Sequence, residues 1–179
     1  MENLFEKGCL VQLSASVWRA ARKSKPEQLS EVAVSHDWFS ATKKLVDPDS
    51  LKPINSVVNF ARSYLSGVSL PFPIQGMVFV PKEMISRVDG RLEGFKGEFN
   101  NTVEEFLGDY DQLREVASVQ LGELFNEMDY PVDVRSKFAF LWRFIILDVP
   151  NGKTGILDPE VYEREKDKFI RTMEEAREL

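Results

Sequence analysis

The sequence predicts an α+β protein, predominantly helical, with one very long helix over about residues 82–127 and a small antiparallel β-sheet of about three strands. Three observations carry that prediction. An apolar residue recurs every three or four positions from Met84 to Val116, at Met84, Val88, Leu92, Phe95, Phe99, Val103, Phe106, Tyr110, Leu113 and Val116, with no proline before Pro131. Period-two alternation marks Cys9, Val11, Leu13, Ala15 and Val17 as one face of a strand. The run from Phe138 to Leu147 is aromatic and β-branched, which suits a third, largely buried strand.

The remaining elements follow in chain order. Arg19-Ala20-Ala21-Arg22-Lys23-Ser24-Lys25-Pro26 is a basic segment closed by proline and reads as a loop or short helical turn. Asp47, Asp49 and Ser50 offer caps and Pro53 suits a first helical turn. Ile54, Val57, Val58, Ala61, Tyr64 and Leu65 then form one face of a helix ending at Gly67. Leu70-Pro71-Phe72-Pro73 argues against regular structure, whereas Gly76 to Pro81 encloses a short apolar strand, Met77 to Val80. Asp158-Pro159-Glu160 opens a terminal helix with a capping aspartate, a proline and an acid in the first turn, and Val161, Tyr162, Phe169 and Met173 give it a sparse apolar face.

Forty helical residues would span roughly 60 Å, so the rod is expected to project or to pack against partner helices. Gly90, Gly94, Gly97 and Gly108 each cost up to about 1 kcal/mol relative to alanine. They predict either close approach of neighbouring helices or a bend or break near Gly108-Asp109. The whole chain, 1–179, reads as a single domain, with a body from 1–81 and 130–179 and a helical rod or hairpin over 82–129.

Composition narrows the function. With 43% hydrophobic and 29% charged residues the chain is of globular type, which excludes wholesale disorder and fibrous repeats. Its formal charge of −6 opposes non-specific nucleic-acid binding. A single Cys9 and a single His36 cannot build a four-ligand Cys/His zinc site or an internal disulfide. Acids at Glu2 and Glu6 and the interruption of the longest apolar stretch by Arg143 favour a cytoplasmic, soluble protein.

No set of nucleophile, base and orienting group assembles from the sequence, so no catalytic, metal-binding or cofactor-binding residue is assigned and the chain is read as a non-enzyme. Asn151-Gly152-Lys153-Thr154 imitates the end of a phosphate-binding loop but has Leu147 where that loop needs glycine. His36-Asp37 lacks a nucleophile partner, and Glu104-Glu105 and Asp109 with Asp111 sit at spacings that do not converge on one helix face. The candidate interaction residues are Arg19, Arg22, Lys23 and Lys25, which with Lys43-Lys44 could meet phosphate or an acidic partner, and the aromatic stripe Phe95, Phe99, Phe106 and Tyr110, read as core or helix-partner surface. Residues 82–129 hold twelve acids and five bases, a local net of −7 that could mate with basic surfaces, including those of nucleic-acid-binding proteins.

Two stretches, Val11-x-Leu13-x-Ala15-Ser16-x-Trp18-x-Ala20-x-Arg22-Lys23 and Lys44-Leu45-Val46-Asp47-Pro48-Asp49-x-Leu51-x-Pro53, followed by a helix, a strand and a long helix, resemble an uncharacterised bacterial and phage family of unknown function. The resemblance covers most of the first 110 residues. It implies a phage or mobile-element context near MoxR-type AAA ATPases and von Willebrand A-domain proteins, which become candidate partners, and it supplies no catalytic motif. The expectation is therefore a non-catalytic interaction or assembly protein that self-associates or docks a protein partner through the long helix. The alternatives are a nucleic-acid-handling accessory protein and a phage-encoded inhibitor of a host defence or nuclease system that uses the acidic helical surface.

Overall fold

The computed structural model describes residues 7–23, 42–146 and, within 159–171, the helical residues 159–161, 163, 164, 167, 168 and 171. His36-Asp37, Lys25 and the Asn151–Thr154 segment lie outside the described residues. In chain order the elements are β1 (Gly8–Ser16), β2 (Ala21–Lys23), β3 (Thr42–Lys44), α1 (Lys52–Val68), β4 (Leu70–Pro71), β5 (Met77–Pro81), α2 (Ile85–Leu121) and β6 (Ala139–Ile145). The chain divides into two compact units. The first comprises Met1–Ser14, Phe60–Gly94 and Leu141–Leu179, the second Ala15–Asn59 and Phe95–Phe140, and β1, α1, α2 and β6 each pass from one into the other.

The α+β class holds, and the three expected strands form with bounds within two residues of those expected. The sheet has four strands, in the order β4-β5-β1-β6. The additional strand is Leu70–Pro71, which pairs antiparallel with β5 at Phe79 and Val78. Proline was read as excluding regular structure there. It is accommodated because β4 is an edge strand, where a missing N–H leaves no ladder bond unmade. The Arg19–Lys25 segment also departs from the expected loop or helical turn. Ala21–Lys23 pairs antiparallel with Thr42–Lys44 in a separate two-stranded ribbon, across 18 intervening residues that no local pattern links.

In the first unit, β1 and β5 pair with Cys9 opposite Val80 and Val11 opposite Val78. Alternation then directs Cys9, Val11 and Val80 to one face, where they form a core with Leu65 of α1 and with Val88 and Leu92 of α2. Trp142 joins this cluster and its indole Nε1 donates to Asp89 Oδ1 at 3.0 Å, so the ring's polar edge is satisfied while its body packs. Burial pushes the Cys9 thiol pKa up, which keeps it a neutral core side chain. Gly8 sits opposite Pro81, and a Cβ there would lie 2.3 Å from the Val80 carbonyl oxygen and 2.5 Å from the Phe79 ring.

α1 forms as expected. Ile54, Val58, Ala61 and Leu65 are buried, Val57 and Tyr64 are half-buried, and Asp47 accepts from the Asp49 amide at 2.9 Å to cap the 3-10 turn Pro48–Leu51 that leads in.

α2 runs unbroken through all four of its glycines. The break expected near Gly108-Asp109 does not occur. Among the described residues close approach does not occur either: a Cβ at Gly90, Gly97 or Gly108 would meet nothing within 4 Å, and one at Gly94 only the Arg91 guanidinium, at 4.0 Å. The helix persists because Val88, Leu92, Phe95, Phe99, Val103 and Phe106 are each at most 5% exposed. Burial of six such side chains at roughly 1.5–3 kcal/mol each outweighs about 1 kcal/mol per glycine. α2 ends at Leu121, earlier than the periodicity suggests, because Gly122 takes a left-handed φ of 51° and starts a 3-10 turn.

Gly8→Ala is expected to destabilise by about 2–3 kcal/mol through overpacking between β1 and β5. In a chain of this size that lowers Tm by about 4–12 °C, measured by thermal unfolding.

Candidate interaction surface

The aromatic stripe is interior. Phe95, Phe99 and Phe106 are 4%, 1% and 5% exposed, and Tyr110 is half-buried. The chain's own rings occupy the stripe: Phe140 lies 5.5 Å from Phe99, Phe138 lies 5.5 Å from Phe106, and Trp18 meets Phe106 and Tyr110 edge-on at 6.4 and 5.9 Å. Of the two readings left open for these residues, core holds, and Phe95, Phe99 and Phe106 are not displayed to a partner helix.

At the C-terminal end of α2 the stripe becomes polar. The Arg114 guanidinium lies 5.8 Å from the Tyr110 ring centroid and 5.1 Å from that of Tyr130, with Glu127 at 3.6 Å. Tyr130 donates its hydroxyl to the Leu45 carbonyl at 2.7 Å, and Tyr110 holds a buried hydroxyl with no hydrogen-bond partner. Burial raises the pKa of both phenols, for Tyr130 with a further contribution from Tyr110, against the lowering effect of Arg114.

Lys43, grouped with the phosphate-contacting cations from sequence, is buried. Its ammonium donates to the Leu124 carbonyl at 2.7 Å and pairs with Asp129. Nothing local marked it, because its partners lie more than eighty residues further along. The ion pair and the Tyr130 bond tie the β2–β3 ribbon to the chain that follows α2. Leu45 N donating to Ala20 O at 2.7 Å closes the ribbon's base, with Ala20 at a positive φ of 47°.

Two surfaces remain. On a helix turning about 100° per residue, Gly90, Gly94, Gly97 and Gly108 fall within about 60° of one another and about 180° from the buried stripe. All four are exposed, as is Val119 on the same face at 79%, and Glu98, Glu105, Asp109, Asp111 and Glu115 are exposed on that side or its flanks. Glu104 is held by Arg135 at 3.4 Å. The spacing of these glycines was legible in the sequence, but there it read as a weakness of the helix and not as a face.

The second surface is cationic. Arg19, Arg22, Lys23 and Lys44 are exposed on or beside the β2–β3 ribbon and make no ion pair among the described residues.

The fold thus defines an α+β protein with a four-stranded sheet, a two-stranded ribbon and one long helix, and its exposed features include helical and cationic surfaces. Residues 5–178 match the model of the family described as protein of unknown function (DUF3150), and the chain belongs to that family. No curated protein and no solved structure matches the chain. Among the described residues no helix is long and apolar enough to cross a membrane.

Two predictions follow from the tyrosine pair. Tyr130→Phe leaves the Leu45 carbonyl unpaired and is expected to cost about 1–3 kcal/mol, whereas Tyr110→Phe removes an unpartnered hydroxyl and is expected to be neutral or mildly stabilising, both read by denaturant unfolding. Stability contributed by keeping these phenols neutral is fully present below the ordinary tyrosine value of 10.0 and is lost as pH rises through their higher folded values. Unfolding free energy measured from pH 8 to 12 should therefore fall above about pH 10, and the double Phe variant should flatten that fall.

Proposed function

We propose that this chain is a non-catalytic interaction or assembly protein of a phage or mobile element, which self-associates or docks a protein partner through the long helix. The observation that carries the reading is the alignment of Gly90, Gly94, Gly97 and Gly108 on the face of α2 opposite its buried stripe, where among the described residues only the Arg91 guanidinium, at 4.0 Å from a Cβ at Gly94, comes near. Each glycine weakens the helix by about 1 kcal/mol relative to alanine, and the packing of the described residues uses none of them. A backbone-level face of this kind lets another helix approach closely, and the exposed acids beside it and Val119 near its end supply charge and an apolar contact. This reading puts docking on the reverse face of α2, because the stripe from Val88 to Phe106 is packed within the chain. The family resemblance supplies MoxR-type ATPases and von Willebrand A-domain proteins as partner candidates, beside a second copy.

The test compares the parent with Gly94→Ala/Gly97→Ala and Gly94→Leu/Gly97→Leu. The alanine pair should raise Tm by about 4–8 °C, since each substitution restores up to about 1 kcal/mol of helix stability. Both variants should lower the mass measured by light scattering across a concentration series, or lose a partner captured by the parent. If both variants keep the parent's mass and its captured partner, the glycine face is not the interface and the reading fails.

A further inference from the structure

Resting on the docking reading above, we infer that the partner received by the reverse face of α2 is a basic amphipathic helix, held by Glu98, Glu105 and Asp109 and anchored on Val116 and Val119. At about 100° per residue Glu98, Glu105, Asp109 and Val116 fall within about 40° of one another, and Gln112 and Val119 lie between them and the glycines. All six are exposed. The run is ordered along the helix. Its acids come first, over about 16 Å, and its valines follow in the last turns, so that Glu98 and Val119 stand about 32 Å apart at about 1.5 Å per residue.

The fold of the described residues gains nothing from these side chains. From Gly97 to Leu121, α2 carries the acids Glu98, Glu104, Glu105, Asp109, Asp111 and Glu115 against the single base Arg114. Arg114 is turned to the Tyr110 and Tyr130 rings, Asp111 and Glu127, and Arg135 reaches across to Glu104. Glu98, Glu105 and Asp109 make no ion pair among the described residues. Glu105 and Asp109 stand four residues apart, where like charges repel and weaken a helix. Val116 and Val119, at 52% and 79% exposed, stay outside the core.

Charge complementarity selects the occupant. A second copy laid parallel on this face sets acid against acid, and one laid antiparallel sets acid against acid or acid against valine, so neither neutralises the run. Nucleic acid is repelled by the same carboxylates. A helix with lysine or arginine over about three turns and apolar residues one to two turns beyond meets both parts of the run: its cations pair with the acids and its apolar side chains cover the valines. The glycines beside the run let its backbone come close.

The experiment measures binding of the full chain to a labelled synthetic helical peptide of about 21 residues, with lysines on one face over its first three turns and leucines on that face thereafter. A second peptide has glutamate in place of every lysine. The lysine peptide should bind and the glutamate peptide should not. Glu105→Gln/Asp109→Asn should weaken the lysine peptide about 5- to 30-fold, as for two exposed ion pairs, and lessen its salt dependence. Val116→Ser/Val119→Ser should weaken it about tenfold and leave the salt dependence unchanged. The control Glu83→Gln/Glu93→Gln removes as much charge at exposed positions about 18 Å or more along the helix from Glu105, and should leave binding within about twofold of the parent. Circular dichroism on each variant separates loss of binding from loss of fold. No binding of the lysine peptide at about 50 mM salt overturns the inference, as does equal binding of the glutamate peptide or equal weakening by the control. A parent that self-associates and loses mass on Glu105→Gln/Asp109→Asn overturns it as well, by making a second copy the occupant. If the lysine peptide fails to bind while Gly94→Leu/Gly97→Leu still lowers the parent's mass or its partner capture, this inference falls and the docking reading stands. If that glycine pair changes neither, both fall.

Discussion

A 37-residue helix with an apolar residue every three or four positions has to bury that stripe, and the rest of this structure depends on how it does so. Along its first part α2 places Val88 and Leu92 against side chains of β1, β5 and α1. Further on, Phe99 and Phe106 meet Phe140 and Phe138, and Trp18 closes over Phe106 and Tyr110. The stripe is thus covered by segments from both ends of the described chain. From Val88 to Phe106 the apolar face of α2 is therefore buried within the chain, whereas Val116 near its end is 52% exposed.

Once the stripe faces inward, the opposite side of α2 becomes surface, and its composition acquires meaning. Four glycines there lower helix stability without a compensating contact among the described residues, while the buried rings keep the helix intact. The energetics separate the two roles: the inner face holds the fold, and the outer face is free to serve something else.

The C-terminal end of α2 shows how polar groups are handled where the stripe runs out. Arg114 lies near two tyrosine rings and Glu127, Tyr130 caps the Leu45 carbonyl, and Lys43 is buried only because Asp129 and the Leu124 carbonyl receive it. A buried lysine without those partners would be strongly unfavourable, so the ribbon and the chain after α2 form as a set. One consequence is the placement of Arg19, Arg22, Lys23 and Lys44 on an element anchored from beneath.

Periodicity alone determined the class of the protein, the three main strands, α1 and the existence of α2, though not its end at Leu121, because a repeat of 2 or of 3.6 residues fixes which side chains share a face before any partner is chosen. The inward role of Phe95, Phe99 and Phe106 was half legible: the sequence marked them as a stripe but could not say whether this chain or another would cover it. Tertiary structure decided that, together with the burial of Lys43, the pairing of Ala21–Lys23 with Thr42–Lys44 and the edge strand at Leu70–Pro71. Each of these depends on partners distant in sequence or on a position at a sheet edge, and neither leaves a periodic trace. The glycines lie between the two cases. Their alignment is written in the spacing, but only the solvent-facing orientation of that side of α2 turns it from a defect into a surface.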